Sequence, residues 1–271
     1  VSNTRLYRTW IVPGLTHEDT TDLSIGASVL GGLNSSRLDR ILVREEESAV
    51  SVSASVLPFQ RISMFFVTVD VKPGVDAGAV SQRLDQIIAE YVANGPSAEE
   101  IQRVATQQVA GALFNIEQVG GFSGKTVALA NGAVIAGDPG FFRRNLLSYG
   151  QATPESVRDA MGRWLSRPVH ALRIDPGARE EYQEASATNR PAPDPTPPRV
   201  TPRDPMPPIG EIADLDFPSV ERARLSNGME IVYAHRDAIP VTLVAFDFNA
   251  GVSADPQGGF GTQRLMLSAM T

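Results

Sequence analysis

Cysteine is absent from the 271 residues, which excludes disulfides and thiolate metal sites and fits any redox compartment. Histidine is scarce. His17, His170 and His235 are the three in the chain, each isolated and without a partner at metal-ligand spacing, so each reads as an ordinary structural or surface histidine. No run reaches the ~18 apolar residues that a membrane span requires. Basic charge is outnumbered, 24 Lys and Arg against 31 Asp and Glu for a net −7, which disfavours nucleic acid as a partner. The sequence has no signal peptide and starts at Val1 rather than methionine. It reads as a piece of a longer protein, so missing targeting says nothing about the parent. What is present is ordinary: 42% hydrophobic and 20% charged residues, the composition of a globular chain with room for one large domain or two.

The most informative stretch is Leu30 to Val56. Gly31-Gly32 stops an apolar-periodic segment. Asn34, Ser35 and Ser36 offer side-chain oxygens to cap a new helix, with Leu38, Ile41 and Leu42 on its buried face and Arg37, Arg40 and Arg44 outside. After Glu45-Glu46-Glu47 the period falls to 2. Val50, Val52, Ala54 and Val56 alternate with Ser51, Ser53 and Ser55, which predicts a half-buried strand.

Before this stretch, Arg5–Val12 reads as a strand closed by Pro13-Gly14, and Thr16 as the N-cap of a helix running to about Leu30 with Glu18 and Asp19 near its positive end. After it, Ile62–Val71 is apolar on nearly both faces, as in a central strand. Val80, Leu84, Ile87, Ile88 and Tyr91 stripe one long helix, Gly95-Pro96 ends it, and Ser97 with Glu100 forms a capping box for the next. Glycines at 120, 121 and 124 make residues 118–138 a kinked helix or two helices. Thr153-Pro154 opens a helix buried through Val157, Ala160, Met161, Trp164 and Leu165, and 170–174 is a last short strand. The fold class is α+β, a two-layer sandwich of a mainly antiparallel sheet with helices on one face and ferredoxin-like elements.

The domain plan is 1–176, a Pro-rich linker at 177–218, and a second unit at 219–271. Nine of the nineteen residues from Arg190 to Pro208 are proline, a composition that favours extended polyproline geometry and builds no core. The last segment begins with a strand pair around Asn227-Gly228, continues with a strand at Val241–Phe248, and ends in a glycine-rich entry to a helix. About fifty residues of this kind bury no core of their own.

The run Leu-Gly-Gly, Ser-Ser-Arg-Leu, Leu-Val-Arg-Glu, matched at Leu30, Gly31, Gly32, Ser35, Ser36, Arg37, Leu38, Leu42, Arg44 and Glu45, resembles the non-zinc domain of the insulinase and pitrilysin-like metallopeptidases. The resemblance spans about Arg5 to Ile174. The tail, with Leu225, Asn227-Gly228-Met229, Pro240-Val241 and Gly251 to Gly261, is similar to the start of a further repeat. The resemblance implies four related domains paired into halves that close around an unfolded peptide, with zinc on an inverted His-x-x-Glu-His helix. The chain would then be a second domain (a metalloprotease-type repeat), the linker, and the start of a degenerate third.

The tail helix places Arg264-Leu265-Met266-Leu267-Ser268 where that motif would fall, so this fragment carries no zinc ligands and no other cofactor. The parent's zinc is expected upstream of Val1. The same resemblance puts Arg44 at a substrate-handling arginine but Ser51 where a tyrosine belongs. Arg44 can clamp a peptide carbonyl or pair with Glu45, Glu46 or Glu47. Gly31 and Gly32 can stop a helix and also line the chamber. No residue is assigned a catalytic role. The implied partners are an unfolded peptide and the upstream zinc-bearing domain or subunit. The proline-rich linker, the lack of cysteine and the single-chain repeat layout lean toward a bacterial, periplasmic setting, though the compartment is not fixed by the sequence. Two alternatives stand beside an active parent: a catalytically dead relative acting as a partner or structural subunit, and an unrelated α+β peptide-binding module.

Overall fold

The computed structural model describes residues 2–178, 205, 208, 210, 211, 217–235, 241–248 and 250–270. The chain divides into two compact units, Val1–Pro218 and Ser219–Thr271. Most of the proline tract lies outside the described residues.

The first unit is built on a four-stranded sheet in the order β2-β3-β1-β4, antiparallel throughout. β1 (Arg5–Pro13) buries Leu6, Arg8, Trp10 and Val12 on alternate positions, the period-2 pattern that drives one strand face into a core. β3 (Ile62–Val71) lies in the middle and buries Ser63, Phe65, Val67, Val69 and Val71. Trp10 and Phe65 meet edge to face at 5.9 Å. β4 (His170–Ile174) closes the other side of β1 and is exposed along its whole length.

Helices cover the buried face. α1 (Thr20–Ala27) runs into a π-helical turn at Ser28–Gly32, and a second π-helical segment follows at Asp39–Glu45. β2 (Ala49–Leu57) then enters the sheet. Two long helices, α2 (Ala77–Asn94) and α3 (Ala98–Glu117), precede α4 (Lys125–Asn131), a π turn at Gly132–Ala136, α5 (Phe141–Tyr149) and α6 (Pro154–Leu165). The Ser97–Glu100 capping box forms, and Thr153 makes another with Ser156 behind Pro154. Residues 118–138 resolve into a turn, α4 and a π turn rather than one kinked helix.

Several local expectations are corrected. Thr16 sits in a turn and caps nothing. Asp19 is the N-cap residue of α1 but gives no cap bond, because its carboxylate is turned toward α6. Ser35 and Ser36 do not cap the second helix either: Ser35 accepts a bond from Arg103, and Ser36 Oγ is buried without a partner. A bulge between Ala49 and Ser51 shifts the strand's register, so Ala49 is buried and Val50 is 52% exposed.

The second unit holds β5 (Val220–Arg224) paired antiparallel with β6 (Glu230–Ala234), and α7 (Thr262–Met270). Asn227-Gly228 makes the turn: Gly228 takes φ +89° and Asn227 Oδ1 accepts from the Met229 amide. The strand expected at Val241–Phe248 does not form; those residues pair with no strand among the described residues. All of β5 and β6 is exposed.

Candidate functional site

Gly31 lies on the π turn where it crosses β2. A Cβ there would stand 2.8 Å from the Ala54 amide nitrogen and 3.1 Å from the Ser53 carbonyl carbon, so only glycine lets this turn seat on the strand. Gly32 is exposed beside it. Arg44 sits at the end of the second π-helical segment. Its Nε donates to Asp39 Oδ2 at 2.7 Å and its Nη2 to the Asn34 carbonyl at 2.8 Å, which staples the Ser-Ser-Arg-Leu turn to the segment that follows it. The sequence left Glu45, Glu46 and Glu47 open as partners for Arg44, but these pair instead with Arg40, Arg83 and Lys72. Arg44 and Gly32 line one shallow depression together with Asn34, Ser35, Arg103 and Gln107. Gly31 is buried beneath it.

Ser51 is elsewhere. It is exposed on β2, on the sheet face opposite the helices, and its hydroxyl donates to Asp70 Oδ2 at 2.9 Å. Arg5 grips the same carboxylate with two donors, and these bonds hold Asp70 below the usual carboxylate range. Strand register places Ser51, Asp70, Arg5 and Ile174 in one row across this open face. Ser53, Thr68, Tyr7 and Leu172 form the next, and Ser55, Phe66, Thr9 and His170 the third. The face is a polar and apolar mixture, partly exposed, and its edge strands β2 and β4 pair with no further strand among the described residues.

The sequence reading missed the ion pairs that tie the helical layer together. Arg37 reaches across to Glu100 with Nε and Nη2 at 3.1 and 2.8 Å, donates to the Gly95 carbonyl, and lies 4.7 Å over the Tyr91 ring. Burial raises the Glu100 carboxyl, but bonds from Arg37 and the Ser97 amide outweigh it and leave it lowered. Asp19 is similar: nearly buried, it accepts from Arg163 twice and from the Trp164 indole, and these bonds overcome desolvation to hold it low. No local pattern marks partners so far apart in the chain.

Zinc does not fit the described residues. On α7 the motif positions are filled by arginine, leucine, methionine and serine side chains, which are not the nitrogen, thiolate and carboxylate donors that zinc takes. Among the described residues no group of three or more His, Asp or Glu is placed to hold a metal. His17 accepts a bond from the Asp19 amide and packs on Trp164, while His170 lies on the open sheet face.

Residues 1–108 match the family model "Peptidase M16 inactive domain". This segment is similar to the inactive domain of M16 peptidases. No curated protein matches the sequence. Solved structures carry the same fold as the M16 unit. A protease from Helicobacter pylori aligns with a TM-score of 0.58 at 17% identity, over 65% of this chain and 42% of its own. The inactive peptidase domain from Bordetella parapertussis gives 0.58 at 19%, over 67% and 95%. The periplasmic protease PqqL of Escherichia coli gives 0.53 at 16%, over 65% and 19%. The chain therefore spans less than half of two of these proteins and nearly all of the isolated inactive domain. The insulinase-type resemblance read from Leu30 to Glu45 and the M16 match agree on the same segment.

Proposed function

We propose that this chain is a non-catalytic segment of an M16 zinc metallopeptidase, and that the open face of its sheet forms part of the wall enclosing an unfolded peptide. The observation that carries this reading is the contrast between the two sheet faces. One is sealed by helices, while the other presents rows of hydroxyl, aromatic and aliphatic side chains flanked by strand edges that pair with nothing among the described residues. An extended peptide recognised mainly through its backbone suits such a surface. Arg44 and Gly32, in their shared depression, supply a secondary substrate contact, with Gly31 as the close-packed support beneath. The tract at 177–218 serves as the tether between halves, and 219–271 begins a degenerate repeat. The parent's zinc, and the base that activates its water, come from residues outside this chain. A periplasmic setting fits this reading.

The test places a photoreactive phenylalanine analogue at Tyr7 or Phe66 of the parent protein and illuminates it with denatured casein. Crosslinks are expected from both positions and none from Glu99 on α3. Equal labelling from Glu99, or none from the sheet, would overturn the proposal. Separately, the purified 271-residue chain is expected to bind no stoichiometric zinc and to cut neither casein nor a quenched peptide; metal analysis and a fluorescence assay check this.

A further inference from the structure

Asp39 and Arg44 stand at the two ends of the second π-helical segment, five residues apart. In an α-helix that spacing sets two side chains about 140° apart around the axis, too far round to bond. A π turn, bonded from i to i+5, brings them back to one face. The winding is explicit here: the Glu46 amide donates to the Ile41 carbonyl, five residues back, at 2.8 Å. Asp39 Oδ2 can therefore accept from Arg44 Nε at 2.7 Å while Arg44 Nη2 donates to the Asn34 carbonyl at 2.8 Å.

The two partners are unequally placed. The Asp39 side chain is 21% exposed and that of Arg44 62%. A pair so open to water adds little to stability. What it fixes is direction. With Nε and Nη2 both engaged the planar fork cannot swing, and Nη1 is left with no partner among the described residues. Arg103, in the same depression, is held less firmly, by one bond to the Ser35 hydroxyl at 3.2 Å. Gly32 beside Arg44 puts no side chain in the way, so a peptide backbone has room to approach. Asp39 also cancels the charge of Arg44, so the free Nη1 meets a neutral carbonyl as a fixed donor rather than as a loose cation.

We infer that Asp39 is a positioning residue, which holds Arg44 so that Nη1 donates to a backbone carbonyl of the extended peptide. The π winding of the segment is what puts the carboxylate within reach. Asp39 itself touches no substrate. The inference rests on the reading of Arg44 as a secondary substrate contact, and it adds the group that orders that contact before the peptide arrives.

Fluorescence anisotropy of the 271-residue chain with an N-dansyl nonapeptide amide of three Ala-Thr-Val repeats tests it. The probe is uncharged, so removing the Asp39 carboxylate does not by itself attract or repel it. Arg44→Gln and Asp39→Ala are each expected to weaken binding about fivefold. The double variant is expected to bind no more weakly than Arg44→Gln alone, because Asp39 acts through the arginine. Asp39→Asn, which keeps an acceptor oxygen at the same reach, is expected to recover most of the loss. Thermal melting of each variant checks that the fold is kept. Native affinity in Asp39→Ala, or a further fivefold loss on top of Arg44→Gln, would overturn the inference while leaving Arg44 as a contact. Native affinity in Arg44→Gln would instead remove that contact, and this inference with it.

Discussion

Replacing Gly31 by alanine is expected to destabilise the first unit by about 2 kcal/mol, and by valine to leave little folded protein. The atoms in the way are the Ala54 amide nitrogen and the Ser53 carbonyl carbon of β2, at 2.8 and 3.1 Å from a built Cβ. They are backbone and cannot rotate aside. Alanine's advantage over glycine in a helical turn, about 0.5–1 kcal/mol, offsets part of the clash, which is why the alanine variant folds. A melting temperature lower by roughly 4–8 °C follows for a unit of this size. Gly32→Ala is the comparison: its nearest contacts are 3.3 and 3.4 Å, and it is exposed, so it is expected to shift the melt by about 2 °C or less. A Gly31→Ala variant melting with the native chain would show that the π turn does not rest on β2 as described.

Asp19→Ala is expected to cost about 2–3 kcal/mol. The carboxylate side chain is 7% exposed and serves Arg163 and Trp164 together. Removing it strands the indole N–H, while Arg163, itself 55% exposed, recovers water and limits the damage. Glu47→Ala breaks only an exposed pair with Lys72 and is expected to cost less than about 0.5 kcal/mol.

The pH dependence has a definite sign. Asp19 titrates lower folded than unfolded, so its contribution is fully present above the unfolded carboxylate pKa of about 3.9. It is lost as pH falls through the lower folded value, because the unfolded state then binds the extra proton. Asp22 opposes this: burial, and then the neighbouring Asp19 charge, raise its carboxyl. The clean measurement is the difference between native and Asp19→Ala melts from pH 6 to pH 2. That difference is expected to shrink toward the acid end, and a constant gap would show that hydrogen bonding to the ionised carboxylate is not its source.

Strongly periodic elements were legible from residues alone. Leu6 to Val12 and Phe65 to Val71 bury every second side chain, and Val80 to Tyr91 bury one stripe, because a strand or helix with one apolar face has one place to put it. Caps at Ser97 and Thr153 were readable for the same reason: donor and acceptor lie three residues apart. What escaped was set at longer range. Val50 fits the alternation, yet the bulge moves Ala49 into its place. α5 has no side-chain cap and buries none of its residues, so nothing in Phe141–Tyr149 announced it. Val241–Phe248 has a strand's composition, but an apolar pattern does not supply the neighbour to which a strand must bond.

The candidate site divides along the same line. Gly31, Gly32 and Arg44 were found through a local motif, and the motif is visible because its parts are adjacent. Arg103, Tyr91 and the Arg37–Glu100 bridge were not, since they come together only when α2 and α3 fold back against the Ser-Ser-Arg-Leu turn. The Ser51–Asp70–Arg5 row was equally hidden, being a product of register across three strands.

β1 lies between β3 and β4, so the first of these four strands to be synthesised is an interior plank of the finished sheet. It has nothing to bond until residue 71 has emerged, and its far side stays bare until 174 follows. During that wait Leu6, Trp10 and Val12, all buried in the finished unit, remain wet, and a chaperone that grips nascent apolar segments would find a handle there.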